Sequence, residues 1–325
     1  VRVLVIGGTV FLGRHLVDAA LERGHEVTLF HRGRHAAHRP GEVEEVLGDR
    51  ACDLGLLAGR QFDAVVDTCG YLPRHVGEAA SALRTDHYTF VSSASVYADL
   101  ATVPVTETNR VHAPPGPEQT AVDGQWYGPQ KAGCERALAV ARSGPALVQR
   151  VGLIGGPHDP TDRLTYWVTR MRRPGPVLAP AVPDQPVQFI DARDLAAWTL
   201  DAAAAGTTGT MNVNGPRGLT FGRLLAACGD AEIAWTDEDV LLEQGVAPWT
   251  ELPLWVPERF GLAGMSDMDT GRAPAAGLRT RPVEETIAAI AAWAESDAVR
   301  VQADYGTRAR SAVLTPEREA ELLER

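Results

Sequence analysis

A tyrosine and a lysine stand four residues apart in Tyr127-Gly128-Pro129-Gln130-Lys131. In a helix the two side chains share one face. An ammonium beside a phenol favours the phenolate, the form that takes up a proton, so the pair suits general acid/base chemistry. Lys131 is also the only lysine among 31 basic residues, the other 30 being arginine. In a chain that uses arginine wherever a cation serves, a retained lysine marks a place wanting a compact ammonium with a titratable proton. A cluster of hydroxyls precedes this pair in Ser92-Ser93-Ala94-Ser95-Val96-Tyr97, directly after an apolar run. A serine there can orient a carbonyl or alcohol oxygen.

The second chemical signal is Gly7-Gly8-Thr9-Val10-Phe11-Leu12-Gly13, lying between an apolar run and a helical pattern. Such a turn aims backbone N–H groups and the positive end of a helix at a pyrophosphate. It departs from a clean G-x-G-x-x-G, and Val10 stands where a glycine of a G-x-x-G-x-x-G turn would be. After the next strand the chain reads Leu29-Phe30-His31-Arg32-Gly33-Arg34, with no acid for a ribose 2′-hydroxyl. Arg32 can instead pair with a 2′-phosphate, which predicts NADP as cofactor with NAD as the alternative. Asp49, in Gly48-Asp49-Arg50, is placed to accept a hydrogen bond from an adenine amine, with Arg50 beside it. Thr68, Cys69 and Gly70 follow the fourth strand, at the carboxyl edge where open α/β sheets bind ligands.

These groups need elements to hold them. Val1 to Ile6 predicts a strand; it opens without a charged stretch or leader-like apolar segment, so no export signal is expected. Leu12, Leu16, Ala19 and Ala20 predict a helix stopped at Gly24, and further strands are expected over 27–30, 43–47, 64–67, 87–91 and 146–151. Helices are expected over 73–83 and 125–142. Such alternation argues for right-handed crossovers and an α/β fold, a Rossmann-type doubly wound parallel sheet. Beyond Gly155 the pattern loosens into Pro- and Gly-rich stretches with shorter pieces: strands over 187–190 and 210–213, helices over 194–204, 221–228 and 284–293, and one from Pro316. The expected division is a nucleotide-binding domain over 1–153 and about 186–214, and a smaller substrate-binding region over about 154–185 and 215–325.

Composition narrows the partners. A 45% hydrophobic, 22% charged chain of 325 residues has globular values, and no apolar run reaches the ~20 residues of a membrane helix. The 42 acidic against 31 basic residues leave a net charge of −11, the wrong sign for a phosphate-backbone partner. Four scattered cysteines form no C-x-x-C pair, so no metal site is expected and the reducing cytoplasm is the expected compartment. The partner expected is a small molecule, with neither nucleic acid nor membrane.

Taken together, the glycine turn, Ser93-Ala94-Ser95-Val96-Tyr97, Tyr127 to Lys131 and Gln188-Phe189-Ile190-Asp191-Ala192-Arg193-Asp194 resemble the extended, epimerase-like branch of the short-chain dehydrogenase/reductase superfamily. The resemblance implies Ser93 as orienter of the reacting oxygen, Tyr127 as proton donor or acceptor, and Lys131 as its partner and ribose ligand. It also implies hydride exchange with a nicotinamide and a homodimer. Two nucleotide-sugar contacts of that branch are replaced, by Leu153 and Val187. The glycine turn further resembles an atypical subgroup that includes chloroplast stem-loop-binding proteins. The reading these features favour is an NADP-dependent oxidoreductase interconverting a ketone and a secondary alcohol. The alternatives are an NAD-dependent epimerase or dehydratase of a sugar or sugar nucleotide, and a non-catalytic NAD(P)-binding regulator. Glu107, His112, Asp123, Trp126, Asp159, Asp162 and Arg163 lie in variable loops, where they can reach a substrate or simply cap and solvate the chain.

Overall fold

Val3, Leu4, Val5 and Ile6 are all at most 1% exposed, as a strand covered on both faces must be. They form β1 (Arg2–Ile6), an inner strand of a seven-stranded parallel sheet in a computed structural model that describes residues 1–296 and 313–324. Its other strands are β2 (Glu26–His31), β3 (Glu44–Leu47), β4 (Gln61–Asp67), β5 (Arg84–Ser93), β6 (Ala146–Val151) and β10 (Gly209–Val213). The order is β10-β6-β5-β4-β1-β2-β3, a doubly wound Rossmann-type sheet whose order reverses beside β1. Ile6 pairs with Phe30 on one side and Asp67 on the other, so the segments after β1, β2 and β4 emerge together.

Helices cover both faces. On one side α1 (Leu12–Glu22) packs with α5 (Ala192–Ala204), burying Leu16, Val17, Leu195 and Trp198. On the other, α2 (Pro73–Ala82) and α3 (Tyr127–Ala141) bury Val76, Cys134 and Leu138 over Tyr88 and Phe90. A third core gathers Trp167, Phe221, Trp255 and Ile290. It is built by α4 (Arg163–Arg170), α6 (Phe221–Cys228), α7 (Glu238–Glu243), α9 (Val283–Ala294) and α10 (Pro316–Leu323), with the short α8 (Arg272–Ala275) beside β10. Two-stranded pairs complete it: β7 (Leu153–Gly155) with β9 (Phe189–Asp191), and β8 (Val177–Pro180) with β11 (Ile233–Thr236).

The expected strands and helices of the sheet are present within a few residues of their predicted bounds. The loosened stretch after Gly155 holds more order than its composition announces. β7, β8, β11, α4 and α7 carry no expectation, because three- or four-residue strands show no usable period and each finds its partner far along the chain. Part of the region expected over 215–325, residues 297–312, lies outside the described residues. Among the described residues no helix is long and apolar enough to cross a membrane, and no cluster of His, Cys, Asp and Glu is arranged to hold a metal.

Candidate active site

The turn after β1 is shaped by its glycines. Gly7 and Gly8 take φ of 100° and 87°, and a Cβ on Gly13 would sit 2.5 Å from the Gly8 Cα, so the loop closes onto the first turn of α1 only without side chains there. Thr9, Val10, Phe11 and Leu12 complete the turn, and Phe11 is held at φ 40°. Val10 needs no left-handed backbone and is accommodated at the position where a glycine was anticipated. No side chain caps α1 and its first turn holds no acid, so the positive end of the helix is not neutralised from within the turn, while the Gly13 and Arg14 N–H groups bond the Val10 and Phe11 carbonyls at 2.9 Å. These features fit a dinucleotide pyrophosphate.

The segment after β4 touches this turn. A Cβ on Gly7 would lie 2.6 Å from Thr68 Oγ1, and that hydroxyl donates to the Ile6 carbonyl at 2.9 Å. Cys69 donates its backbone N–H to Asp67 at 3.2 Å, and burial pushes its thiol pKa up, away from thiolate chemistry. Gly70 presents its carbonyl to Lys131, whose Nζ donates to Gly70 O at 3.0 Å and Val91 O at 2.8 Å. The ammonium is 3% exposed, between the rings of Phe90 and Tyr71 at 4.7 and 5.1 Å from their centroids. With two of three donors used, one remains for a ligand or for Tyr127.

Tyr127 opens α3 and is half-buried, its ring 6.5 Å from that of Tyr71. Gly128 allows the approach of the turn after β5: a Cβ there would lie 2.1 Å from the Ser95 carbonyl. This contact sets the hydroxyl cluster against the start of α3. Ser93 Oγ accepts the Ser95 N–H at 3.1 Å, which orients the serine and leaves its own proton to donate to a substrate oxygen. Ser93, Tyr127, Lys131, Gly70, Thr68 and the glycine turn therefore form one continuous edge of the sheet.

Two expected cofactor residues are otherwise engaged. Arg50 is buried and makes a bidentate pair with Asp67 at 2.7 and 2.8 Å, with a further bond to the His75 carbonyl at 3.0 Å. Burial disfavours the Asp67 charge, but the guanidinium outweighs it and holds the carboxyl below the usual range. Arg50 thus stiffens the floor of the site. Asp49 is half-buried after β3 and closes a turn through the Ala51 N–H at 2.9 Å. Arg32 stands exposed after β2, where His31 is turned toward Glu45 at 3.1 Å.

The residues that sequence reasoning missed lie behind the site. Glu135, one turn beyond Lys131, accepts from Ser92 Oγ at 2.6 Å and from Arg150 Nη2 at 2.8 Å. Arg150 Nη1 also donates to Tyr97 Oη at 3.2 Å. The i, i+4 spacing of Lys131 and Glu135 was visible, but nothing local pointed to Arg150. Tyr71 was missed as well; its place just after Gly70 was the available signal.

The fold and this edge define a Rossmann-type nucleotide-binding protein. The model of the NAD dependent epimerase/dehydratase family matches residues 3–214, and the chain belongs to that family. It is 26% identical over 249 residues to the chloroplast stem-loop binding protein of 41 kDa b of Arabidopsis thaliana, covering 71% of this chain and 63% of that protein. Among solved structures, the UDP-N-acetylglucosamine 4-epimerase of Methanobrevibacter ruminantium aligns at TM-score 0.66 and 18% identity, over 90% of this chain and 97% of that one. WbmH of Bordetella bronchiseptica, in complex with NAD+, aligns at 0.64 and 18%, over 90% and 97%. The UDP-glucuronic acid 4-epimerase of Bacillus cereus, in complex with NAD, aligns at 0.65 and 15%, over 90% and 96%. At these identities the structural likeness is one of fold.

The expectation of an NADP-dependent oxidoreductase is corrected by these findings. The family is described as NAD dependent, and NAD is bound in the WbmH and UDP-glucuronic acid 4-epimerase structures named above. Arginine after β2 was an ambiguous signal, because a solvated loop guanidinium and a 2′-phosphate ligand look alike in sequence; here Arg32 is exposed.

Proposed function

We propose that the protein is an NAD-dependent epimerase or dehydratase acting on a sugar or sugar nucleotide. The observation that carries this reading is the single edge on which Ser93, Tyr127 and Lys131 meet the glycine turn of a family whose members use NAD. Bound NAD supplies a reversible hydride acceptor. Within the chain, Tyr127 Oη takes the proton of a substrate hydroxyl as its carbon is oxidised and gives it back on reduction. Ser93 Oγ donates to the same substrate oxygen, and Lys131 keeps a positive charge next to the phenol. The relatives named for UDP-sugars support the substrate class.

We assign the nucleotide to residues 1–153 and about 186–214, and the substrate to about 154–185 and 215–325, a division supported by the third core, most of whose residues fall in the latter stretches. A cytoplasmic homodimer belongs to the same proposal, supported by four free cysteines and, for the dimer, by the resemblance. Stem-loop binding is not carried over from the Arabidopsis relative, because the net charge of −11 opposes it.

The test is to denature the purified protein, assay released nucleotide, and incubate the native protein with UDP-sugars without added cofactor. Retained NAD and product formation are expected, with Tyr127→Phe losing about 100-fold or more in turnover while keeping its NAD. Activity that consumes added nicotinamide cofactor mole for mole would overturn the reading.

A further inference from the structure

The buried arginines of this protein come with counter-ions. Arg50 pairs with Asp67 at 2.7 Å, Arg150 with Glu135 at 2.8 Å and Arg170 with Glu319 at 2.5 Å. Arg163, the first residue of α4, is different. Among the described residues no carboxylate lies within ion-pair distance of it; its Nε is buried without a hydrogen-bond partner, as are Arg50 Nε and Arg170 Nη1, but those two arginines have their carboxylates. Its guanidinium lies over the indole of Trp249, 5.2 Å from the ring centroid. Trp249 is held there by a left-handed backbone, φ 66°, and by its N–H bond to the Trp255 carbonyl at 3.1 Å. The two tryptophans of this stretch therefore divide their work: Trp255 is fully buried in the third core, and Trp249 is the platform for a cation.

Neither neighbouring acid lies within ion-pair distance of Arg163: Asp162, just before it, is the left-handed N-cap residue of α4, and Asp159 lies four residues back. Asp159 is 1% exposed, and its Oδ1 accepts from the Thr161 N–H at 2.8 Å and the Thr161 hydroxyl at 2.7 Å, closing a turn of its own. Burial lowers the pKa of Arg163, and the fields of Asp159 and Tyr127 only partly offset it. The desolvation cost of Arg163 is thus only partly compensated, and a counter-charge from outside the chain would remove the rest. Leu153 and Val187, where related proteins were expected to offer polar contacts to a nucleotide-sugar, are 8% and 2% exposed and apolar.

We propose that Arg163, placed over the ring of Trp249, is the anchor for an anionic group of the substrate, a phosphate or a carboxylate. The planar fork of a guanidinium suits bidentate recognition of either group, and a cation–π contact with an indole restrains the fork before the ligand arrives. This rests on the reading of Tyr127 as the group that handles the substrate proton.

The experiment titrates the NAD-loaded protein calorimetrically with UDP, inorganic pyrophosphate and glucuronate, with uridine and glucose as neutral counterparts. NAD affinity is measured on the same samples. Anionic probes are expected to bind at least about tenfold tighter than their neutral counterparts, and Arg163→Gln to lose about tenfold or more of that affinity. Arg163→Lys should keep a part of it, with NAD affinity unchanged in both variants. Binding of UDP and pyrophosphate without glucuronate identifies a phosphate as the anchored group, and the converse pattern a carboxylate. Anion affinity in Arg163→Gln within about twofold of wild type, or no preference for anions over neutral probes, would overturn the proposal. Failure of the wild-type protein to bind NAD would instead strike the function proposed above.

Discussion

At the scale of single residues, the site depends on how the chain treats charge it cannot expose. Lys131 is buried yet satisfied, because two carbonyls and two aromatic faces surround it. Asp159 is buried and half-satisfied, and burial raises its carboxyl from 3.8 to about 6. A raised carboxyl pKa means that the native state holds the proton more tightly than the unfolded chain. The stability this contributes is full below about 3.8 and is lost as pH rises through about 6. Asparagine imitates the protonated acid at every pH and can still accept the two Thr161 bonds. Asp159→Asn is therefore expected to be more stable than wild type above pH ~6, by up to roughly 3 kcal/mol, and equal to it in acid. Thermal melts of both proteins from pH 4 to 8 check this; a stability difference that stays flat with pH would remove Asp159 from the titration.

At the scale of elements, the question is what fixes α3, since it carries both Tyr127 and Lys131. Gly128 lets its first turn close on the Ser95 carbonyl, and Glu135 ties its middle to β5 and β6 through Ser92 and Arg150. Both members of this ion pair are about 10% exposed, so removing one charge strands the other. Glu135→Gln should cost about 3 kcal/mol in urea unfolding, and adding Arg150→Met should recover much of it, because no buried charge is then left without a counter-ion. A double variant as unstable as the sum of its singles would show that the pair contributes only packing.

At the scale of the whole molecule, Asp191 joins the sheet-bound part of the chain to the C-terminal helices. Its carboxylate caps α5 through the Arg193 N–H at 2.8 Å, pairs with the Arg193 side chain at 2.6 Å, and accepts from Thr286 on α9 at 2.8 Å. Burial opposes the Asp191 charge, but Arg193 outweighs it and holds the carboxyl low. Asp191→Ala is expected to cost about 2 kcal/mol as the cap is lost, and to speed amide hydrogen exchange in α9 ahead of the sheet. Uniform protection across both parts would mean that apolar packing alone holds α9.

The sequence by itself determined the alternation of strands and helices through β6, the glycine turn, and the Tyr127–Lys131 pair with Ser93 upstream. Each of these is written in contacts no more than a few residues apart or in a run of apolar side chains, where period and spacing carry the information. Only the tertiary structure decided that Arg50 belongs to Asp67, that Glu135 belongs to Arg150, and that Arg163 lies over Trp249 with no carboxylate in ion-pair distance among the described residues. It also paired β7 with β9 and β8 with β11. Ion pairs, stacked rings and short strands join residues far apart in the chain, so the geometry that selects one partner over another exists only after the sheet has closed.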